Sequence, residues 1–102
     1  MDFQMKKFEK KEFAKKIITT ASASWHNAKL TYKNDNIESS KKNVFHALRI
    51  LSFGEQIKDN KTITNHSMAN FFKVLVETNQ NFKPKNFYKL FMTLSEELKE
   101  NE

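Results

Sequence analysis

The stretch that decides the fold is KKNVFHALRIL, residues Lys41–Leu51. At about 100° per residue, its apolar side chains fall mainly on one side of a helix. The residues on this apolar side are Val44, Ala47, Leu48 and Leu51. Lys42, His46 and Arg49 fall on the opposite side, and Phe53 continues that strip one turn on. The pattern predicts an amphipathic helix with one face in a protein core and the other face suited to an anion.

Composition favours helices in the rest of the chain as well. There is one glycine and one proline in 102 residues, whereas turn-rich β architectures use both heavily. A chain of this length buries roughly two-thirds of its unfolded surface, which is enough for one core. The absence of cysteine excludes disulfides, thiolate metal sites and cysteine nucleophiles. We therefore expect an all-α protein with a single domain over residues 1–102.

The first segment, about residues 2–32, is rich in lysine, and from Phe13 onward its apolar residues have helical spacing. Asp2 is a candidate N-cap for this helix. The run from Thr19 to Ser24 is weak helix material, because serine and threonine side chains compete for backbone hydrogen bonds. The sequence allows either one long helix or two halves joined near residues 22–24.

A second helix is predicted after the polar loop 34–40, with a serine at the end of that loop as its N-cap. It is expected to end near Lys58, before the turn residues 59–61. Gly54 lies inside this helix, where glycine costs about 1 kcal/mol relative to alanine. Gly54 therefore marks either a close helix crossing or early fraying.

Two more helices are predicted in the last third of the chain. The third begins after Asn65 or Ser67 and has apolar residues on more than one face, which predicts a central helix packed on two sides. The fourth has Pro84 in its first turn and a regular apolar stripe. The stripe consists of Phe87, Leu90, Phe91, Leu94 and Leu98. The complete prediction is a bundle of four helices, or of five if the first segment is split.

Charge is unevenly distributed along the chain. The net charge is +6, with ten lysines against five acids in residues 1–42 and eight basic residues against seven acids in residues 43–102. A basic surface attracts polyanions such as nucleic acid. Lysine can also serve only to keep a protein in solution. Both interpretations are open from the sequence.

The strip of Lys42, His46 and Arg49 is the first candidate site. Arg49 is the only arginine in the chain, and its rigid fork of donors suits phosphate or carboxylate better than lysine does. Lys42 and Arg49 would neutralise a phosphate, and His46 could donate to it when protonated. The alternative is structural: Arg49 pairs with an acid such as Glu55 or Asp59, while His46 forms a hydrogen bond inside the fold.

The second candidate site combines aromatic and basic residues on adjacent turns of the first segment. Trp25 could stack on a nucleic-acid base while lysines hold the phosphates. The accompanying residues are His26, Lys29, Tyr32 and Lys33. In the alternative interpretation Trp25 belongs to the core, because it continues the stripe of Ile18, Ala21 and Ala28.

Catalytic and metal-binding patterns are missing from the sequence. None of His26, His46 and His66 has a second ligand at the spacing of a helical metal site. The glycine-rich motifs of kinases, hydrolases and dinucleotide-binding proteins need more than one glycine. We predict no cofactor, no metal and no enzymatic activity for the chain by itself.

Three stretches, residues 24–29, 41–57 and 63–70, together resemble the helical region that follows the catalytic domain in some predicted polymerase-β-like nucleotidyltransferases. The resemblance covers about residues 20–100 and is strongest in the pattern of Lys42, His46, Ala47 and Arg49. It implies that Lys42, His46 and Arg49 contact a nucleotide or polynucleotide substrate. The Gly-Ser pair and the Asp-x-Asp motif of that family's catalytic domain are absent here. The resemblance therefore implies an accessory role without catalysis.

The resulting prediction is a non-catalytic accessory subunit or domain. Through a basic helical surface it helps bind nucleic acid or nucleotide for a larger partner, such as a catalytic subunit. The alternative is a structural protein-interaction module in which lysine only solubilises the chain. The charged N-terminus lacks the apolar run of a secretory signal, and no stretch approaches the roughly 20 apolar residues of a membrane span. We expect an intracellular protein without a membrane partner.

Overall fold

A computed structural model describes residues 7–58 and 67–100 of the chain, and the regular elements in this part are all helical. They are α1 (Lys7–Lys33), α2 (Ile37–Lys58), α3 (Ser67–Glu77), a 3₁₀ turn (Pro84–Phe87) and α4 (Tyr88–Glu100). The predicted all-α bundle of four helices is confirmed. In these two stretches, no helix combines the length and the apolar character needed to cross a bilayer.

Helix α1 is continuous through its weak segment, so the first of the two alternatives is correct. The Thr20 hydroxyl donates to the Lys16 carbonyl at 2.9 Å, within the helix. Ala21 and Ala28 are fully buried, and packing of this face outweighs the poor intrinsic propensity of the segment. The predicted beginning near residue 2 and its cap Asp2 lie outside the described residues.

The turn between α1 and α2 differs from the prediction. Asp35 has a positive φ of 62° just after α1, and Asn36 caps α2 because its side-chain oxygen accepts the Ser39 N–H at 3.3 Å. The predicted serine N-cap is wrong. Ser40 lies inside α2, fully buried, and its hydroxyl donates to the Ala28 carbonyl of α1 at 2.7 Å.

Helix α2 is the centre of the bundle and contacts α1, α3 and α4. The four residues of its predicted core face are fully buried. Gly54 is also buried, and a Cβ added there would lie 2.6 Å from Ile17 Cγ2 of α1. The close-crossing interpretation of Gly54 is confirmed. The predicted turn at residues 59–61 lies outside the described part of the chain.

Helix α3 is not the central helix that its apolar breadth predicts. Among the described helices it contacts α2, with Phe72 and Val76 buried at that interface. Phe71 and Val74 on its outer side are 54% and 50% exposed. The sequence shows how many faces of a helix are apolar but does not show how many neighbours cover them.

The apolar stripe of α4 is confirmed. Phe87, Phe91 and Leu98 are buried, and the other two members are packed against the same core. Pro84 opens a 3₁₀ turn that precedes α4 rather than the first turn of the α-helix itself. This turn carries Lys83 and Lys85 toward α1, where it forms one wall of the larger cavity described below.

Candidate nucleic-acid interface

Two surface cavities in the described part of the chain are lined by aromatic and charged side chains that could bind a ligand. The larger, about 650 Å³, lies between α1 and the turn that leads into α4, and we call it the aromatic groove. Its lining consists of Trp25, Lys29, Tyr32, Lys83, Pro84, Lys85 and Tyr88. The smaller, about 360 Å³, lies between α2 and α3, and we call it the α2–α3 cleft. Its lining consists of Glu38, Lys41, Lys42, Phe45, His46, Lys73, Val76 and Glu77.

Trp25 forms the floor of the aromatic groove and belongs to the core. It is 5% exposed and stacks on Phe91, with ring centroids 4.8 Å apart and an interplanar angle of 26°. A base cannot use a ring face that Phe91 already covers. The core interpretation therefore describes Trp25 better than the stacking interpretation, although part of the ring still borders the groove.

Tyr88 and Tyr32 are the more accessible rings of the aromatic groove. Tyr88 is 50% exposed and leans on Trp25, with centroids 5.9 Å apart. Tyr32 is half-buried and meets Phe82 edge-on at 6.2 Å. Tyr88 was not among the residues predicted from the sequence. A usable signal was present, because Tyr88 is an aromatic residue off the α4 stripe and close to the only proline.

The charged side chains that line the aromatic groove are all positive. Lys29 comes from α1, while Lys83 and Lys85 flank Pro84, and all three side chains are exposed. No carboxylate contributes to this lining within the described residues. Lys33 is exposed one turn beyond Lys29 on α1 but does not line the groove. The fold thus brings Trp25 and Lys29 together with two lysines that are distant in sequence.

The α2–α3 cleft has mixed charge. Lys42 and His46 lie together in its lining, as the amphipathic pattern predicts, and Lys73 faces them from α3. Glu38 and Glu77 also line it, so two carboxylates offset much of the positive charge. Arg49 is not part of the lining.

Arg49 contacts His46 instead. Its Nη2 lies 3.1 Å from His46 Nδ1, and its guanidinium lies 5.2 Å from the centre of the Phe45 ring. A guanidinium can only donate, so Nδ1 must accept and the imidazole proton must lie on Nε2. Burial lowers the pKa of His46, and the positive charges of Arg49 and Lys42 lower it further. The protonated His46 donor that the sequence pattern suggests is therefore disfavoured at neutral pH.

Phe82 contacts one lining residue of each cavity, Tyr32 of the groove and Lys41 of the cleft. Lys41 lines the α2–α3 cleft, and its ammonium lies 5.9 Å from the centre of the Phe82 ring. Phe82 is buried and contacts both Tyr32 and Phe87. Contacts from Tyr32 through Phe82 to Lys41 therefore link the lining of the groove to the lining of the cleft.

The part of the chain that the structure describes holds no group of three or more His, Asp or Glu residues placed to bind a metal ion, and His66 lies outside it.

Comparison with known proteins assigns no family to this arrangement. The resemblance to the helical region of nucleotidyltransferases stays a prediction. No protein-family model, no curated protein and no solved structure matches the chain.

Proposed function

We propose that this chain is a non-catalytic module that binds nucleic acid in the aromatic groove and holds it for a partner enzyme. The observation that carries the proposal is the composition of the groove: three exposed lysines, two accessible tyrosine rings and no lining carboxylate in the described residues. Lysines neutralise backbone phosphates, and aromatic rings offer contacts that sequence-independent nucleic-acid binding uses.

The groove supports this proposal better than the strip of Lys42, His46 and Arg49. Arg49 is engaged with His46 and Phe45, and Lys42 shares its cleft with Glu38 and Glu77. A polyanion approaching the cleft would meet negative as well as positive groups. We assign the cleft a secondary part, in which Lys41 extends the basic surface beyond the groove.

The accessory role depends on the resemblance to nucleotidyltransferases. It implies that the catalytic carboxylates lie outside these 102 residues, which have no Asp-x-Asp motif. The proposal has two separable parts, binding of nucleic acid and association with a partner enzyme. The first can be tested with the purified chain alone.

The test is the affinity for a fluorescein-labelled strand of about 12 nucleotides, measured by anisotropy between about 50 and 200 mM salt. The informative variant is Lys83→Gln with Lys85→Gln. The matched control is Lys15→Gln with Lys16→Gln, which removes the same charge from exposed positions of α1 that do not line the groove. Circular dichroism confirms that each variant is folded.

We expect binding that weakens steeply with salt. In the groove variant the log–log slope should become shallower by about 0.7 for each phosphate that the protein no longer neutralises. The α1 control should keep the slope of the native chain. Equal changes in both variants would show a diffuse lysine effect rather than a groove. Absence of binding at the lowest salt would contradict the proposal.

A second candidate function is docking onto a larger protein assembly, and the outer side of α3 favours it. Phe71 and Val74 lie one turn apart there and are each about half exposed. Apolar contacts of this kind resist salt, whereas phosphate contacts do not. Association with the assembly that persists at high salt and disappears in Phe71→Ser with Val74→Ser would favour this function. Loss of association in Lys83→Gln with Lys85→Gln would favour nucleic-acid binding.

A further inference from the structure

We propose that the aromatic groove selects single-stranded nucleic acid, by stacking an unpaired base on Tyr88 while Lys83 and Lys85 hold the adjoining phosphates. This inference rests on the function proposed above and specifies its ligand. Bases in a duplex hide their faces in the stack, so a ring can read a base face only where the strand is unpaired.

Tyr88 is held in place from behind. Its ring leans on Trp25 at 5.9 Å, and Trp25 in turn stacks on Phe91 at 4.8 Å, so two buried rings fix the position of the exposed one. A ring that is already ordered loses little conformational entropy when a base stacks on it. The half of Tyr88 that remains accessible is therefore a preformed platform.

The charges around Tyr88 are placed for a strand rather than for an isolated base. Lys83 and Lys85 lie three to five residues before Tyr88 on the adjoining turn, and Lys29 faces them from α1. Beyond Tyr32, the Lys41 ammonium lies over the Phe82 ring that Tyr32 contacts, which places a fourth positive charge outside the groove. A nucleic-acid strand presents a phosphate at every step and a planar base beside each, which matches lysines flanking a ring.

The test compares four labelled probes of equal length: oligothymidylate, oligouridylate, a DNA strand with the same phosphates but no bases, and a duplex. The variant is Tyr88→Leu, with Tyr88→Phe as the conservative replacement. The matched control is Phe71→Leu, the same kind of change at a half-exposed ring outside the groove. A polyglutamate of equal length tests an acidic peptide as ligand.

We expect at least one of the two base-bearing strands to bind about tenfold or more tighter than the strand without bases and than the duplex. Tyr88→Leu should remove that advantage and leave binding of the strand without bases unchanged. Tyr88→Phe and Phe71→Leu should keep it. Tighter binding of oligothymidylate than of oligouridylate, or the reverse, would show whether the groove prefers DNA or RNA.

Equal binding of all nucleic-acid probes would overturn the stacking inference and leave the proposed function intact, because the groove would then recognise phosphate alone. Polyglutamate binding as tight as oligothymidylate would also overturn it. Failure of every nucleic-acid probe to bind at low salt would refute the proposed function itself. Loss of the advantage equally in Tyr88→Leu and Phe71→Leu would show that Tyr88 is not the platform.

Discussion

The aromatic groove and the α2–α3 cleft contain the same kinds of side chain, namely lysines beside aromatic rings, yet they differ in chemistry. The groove is lined by three exposed lysines, the exposed Tyr88 and the half-buried Tyr32, without a lining carboxylate in the described residues. The cleft adds Glu38 and Glu77, and its histidine is bound by Arg49. Residue types alone therefore do not define a polyanion site. Neighbouring side chains decide it, because carboxylates such as Glu38 and Glu77 offset the charge of the lysines beside them.

The two cavities also show different uses of arginine and lysine. Arg49 directs its Nη2 at His46 and lies over the Phe45 ring, so its charge acts on neighbouring side chains. Lys83 and Lys85 are exposed and flank a proline that fixes the local backbone. Arg49, the only arginine in the sequence, thus contacts two residues of its own helix. Lys83 and Lys85 form the more accessible positive surface.

Charge reversal gives the largest expected contrast between the cavities. Lys83→Glu with Lys85→Glu should weaken binding of a single strand on the order of 100-fold at low salt, since two attractions to phosphate become repulsive. Lys42→Glu with Lys73→Glu changes the net charge equally but acts where carboxylates already lie, so we expect a loss below about tenfold. Anisotropy titrations check this. Equal losses would remove the distinction between groove and cleft.

Helix α1 lines the groove and α2 lines the cleft, and Gly54→Ala tests the close packing of these two helices against each other. The added methyl would meet Ile17, which costs about 1–3 kcal/mol, against a gain of about 1 kcal/mol in helix propensity. We expect a net loss of up to about 2 kcal/mol in the free energy of unfolding, measured in urea. In the Ile17→Ala background the same change should cost less or stabilise. Additive effects of the two substitutions would contradict the close crossing.

Ser40→Ala tests the polar contact in the same interface. Its buried hydroxyl donates to the Ala28 carbonyl, so its removal should lower the free energy of unfolding by about 1 kcal/mol. The loss stays moderate because Thr31 Oγ1, which donates to the Asn27 carbonyl at 2.8 Å, also lies 3.2 Å from the Ala28 carbonyl and can share its proton with it. Ser39→Ala is the control, since Ser39 is only half-buried. Urea midpoints of the two variants should differ, and equal midpoints would contradict the interhelical bond.

Periodicity made the core predictable. The apolar residues of α2 and α4 repeat at helical spacing, and a buried face follows directly from that repeat. The isolated Gly54 likewise indicated either a close helix crossing or early fraying, and the first of these is what the structure shows. In each of these cases the signal is local, because the residues that reveal the feature lie on the element that has it.

The features that sequence reasoning missed depend on a second element. Ser40 looked like a cap because its own neighbours are polar, yet α1 passes beside it. The groove joins Trp25 and Lys29 to Lys85 and Tyr88, which are about 60 residues away in the chain. Glu77 enters the cleft from α3 in the same way. Long-range pairing of this kind leaves no mark in local spacing.

The smallest expected effect concerns His46, and it tests the contact between His46 and Arg49. The groups that face His46 are Arg49, Lys42 and Lys41 on α2, Lys73 and Glu77 on α3, and Glu38 at the start of α2. Burial and the charges of Arg49 and Lys42 lower its pKa below the ordinary 6.5. Arg49→Gln removes one of these charges, so it should raise the pKa of His46, as measured by NMR titration of the imidazole.

The sign of the pH dependence follows from that shift. Between its lowered pKa in the folded chain and 6.5 in the unfolded chain, His46 binds more protons when unfolded. Its contribution to stability is therefore complete above pH 6.5 and is lost as the pH falls through that window. The difference in unfolding free energy between the native chain and His46→Gln, measured from about pH 7.5 to about pH 5, removes the effects common to His26 and His66. A difference that stays constant over this range, or that grows in favour of the native chain on acidification, would contradict the neutral His46 held by Arg49 and leave the cleft open to the anion role that the sequence predicts.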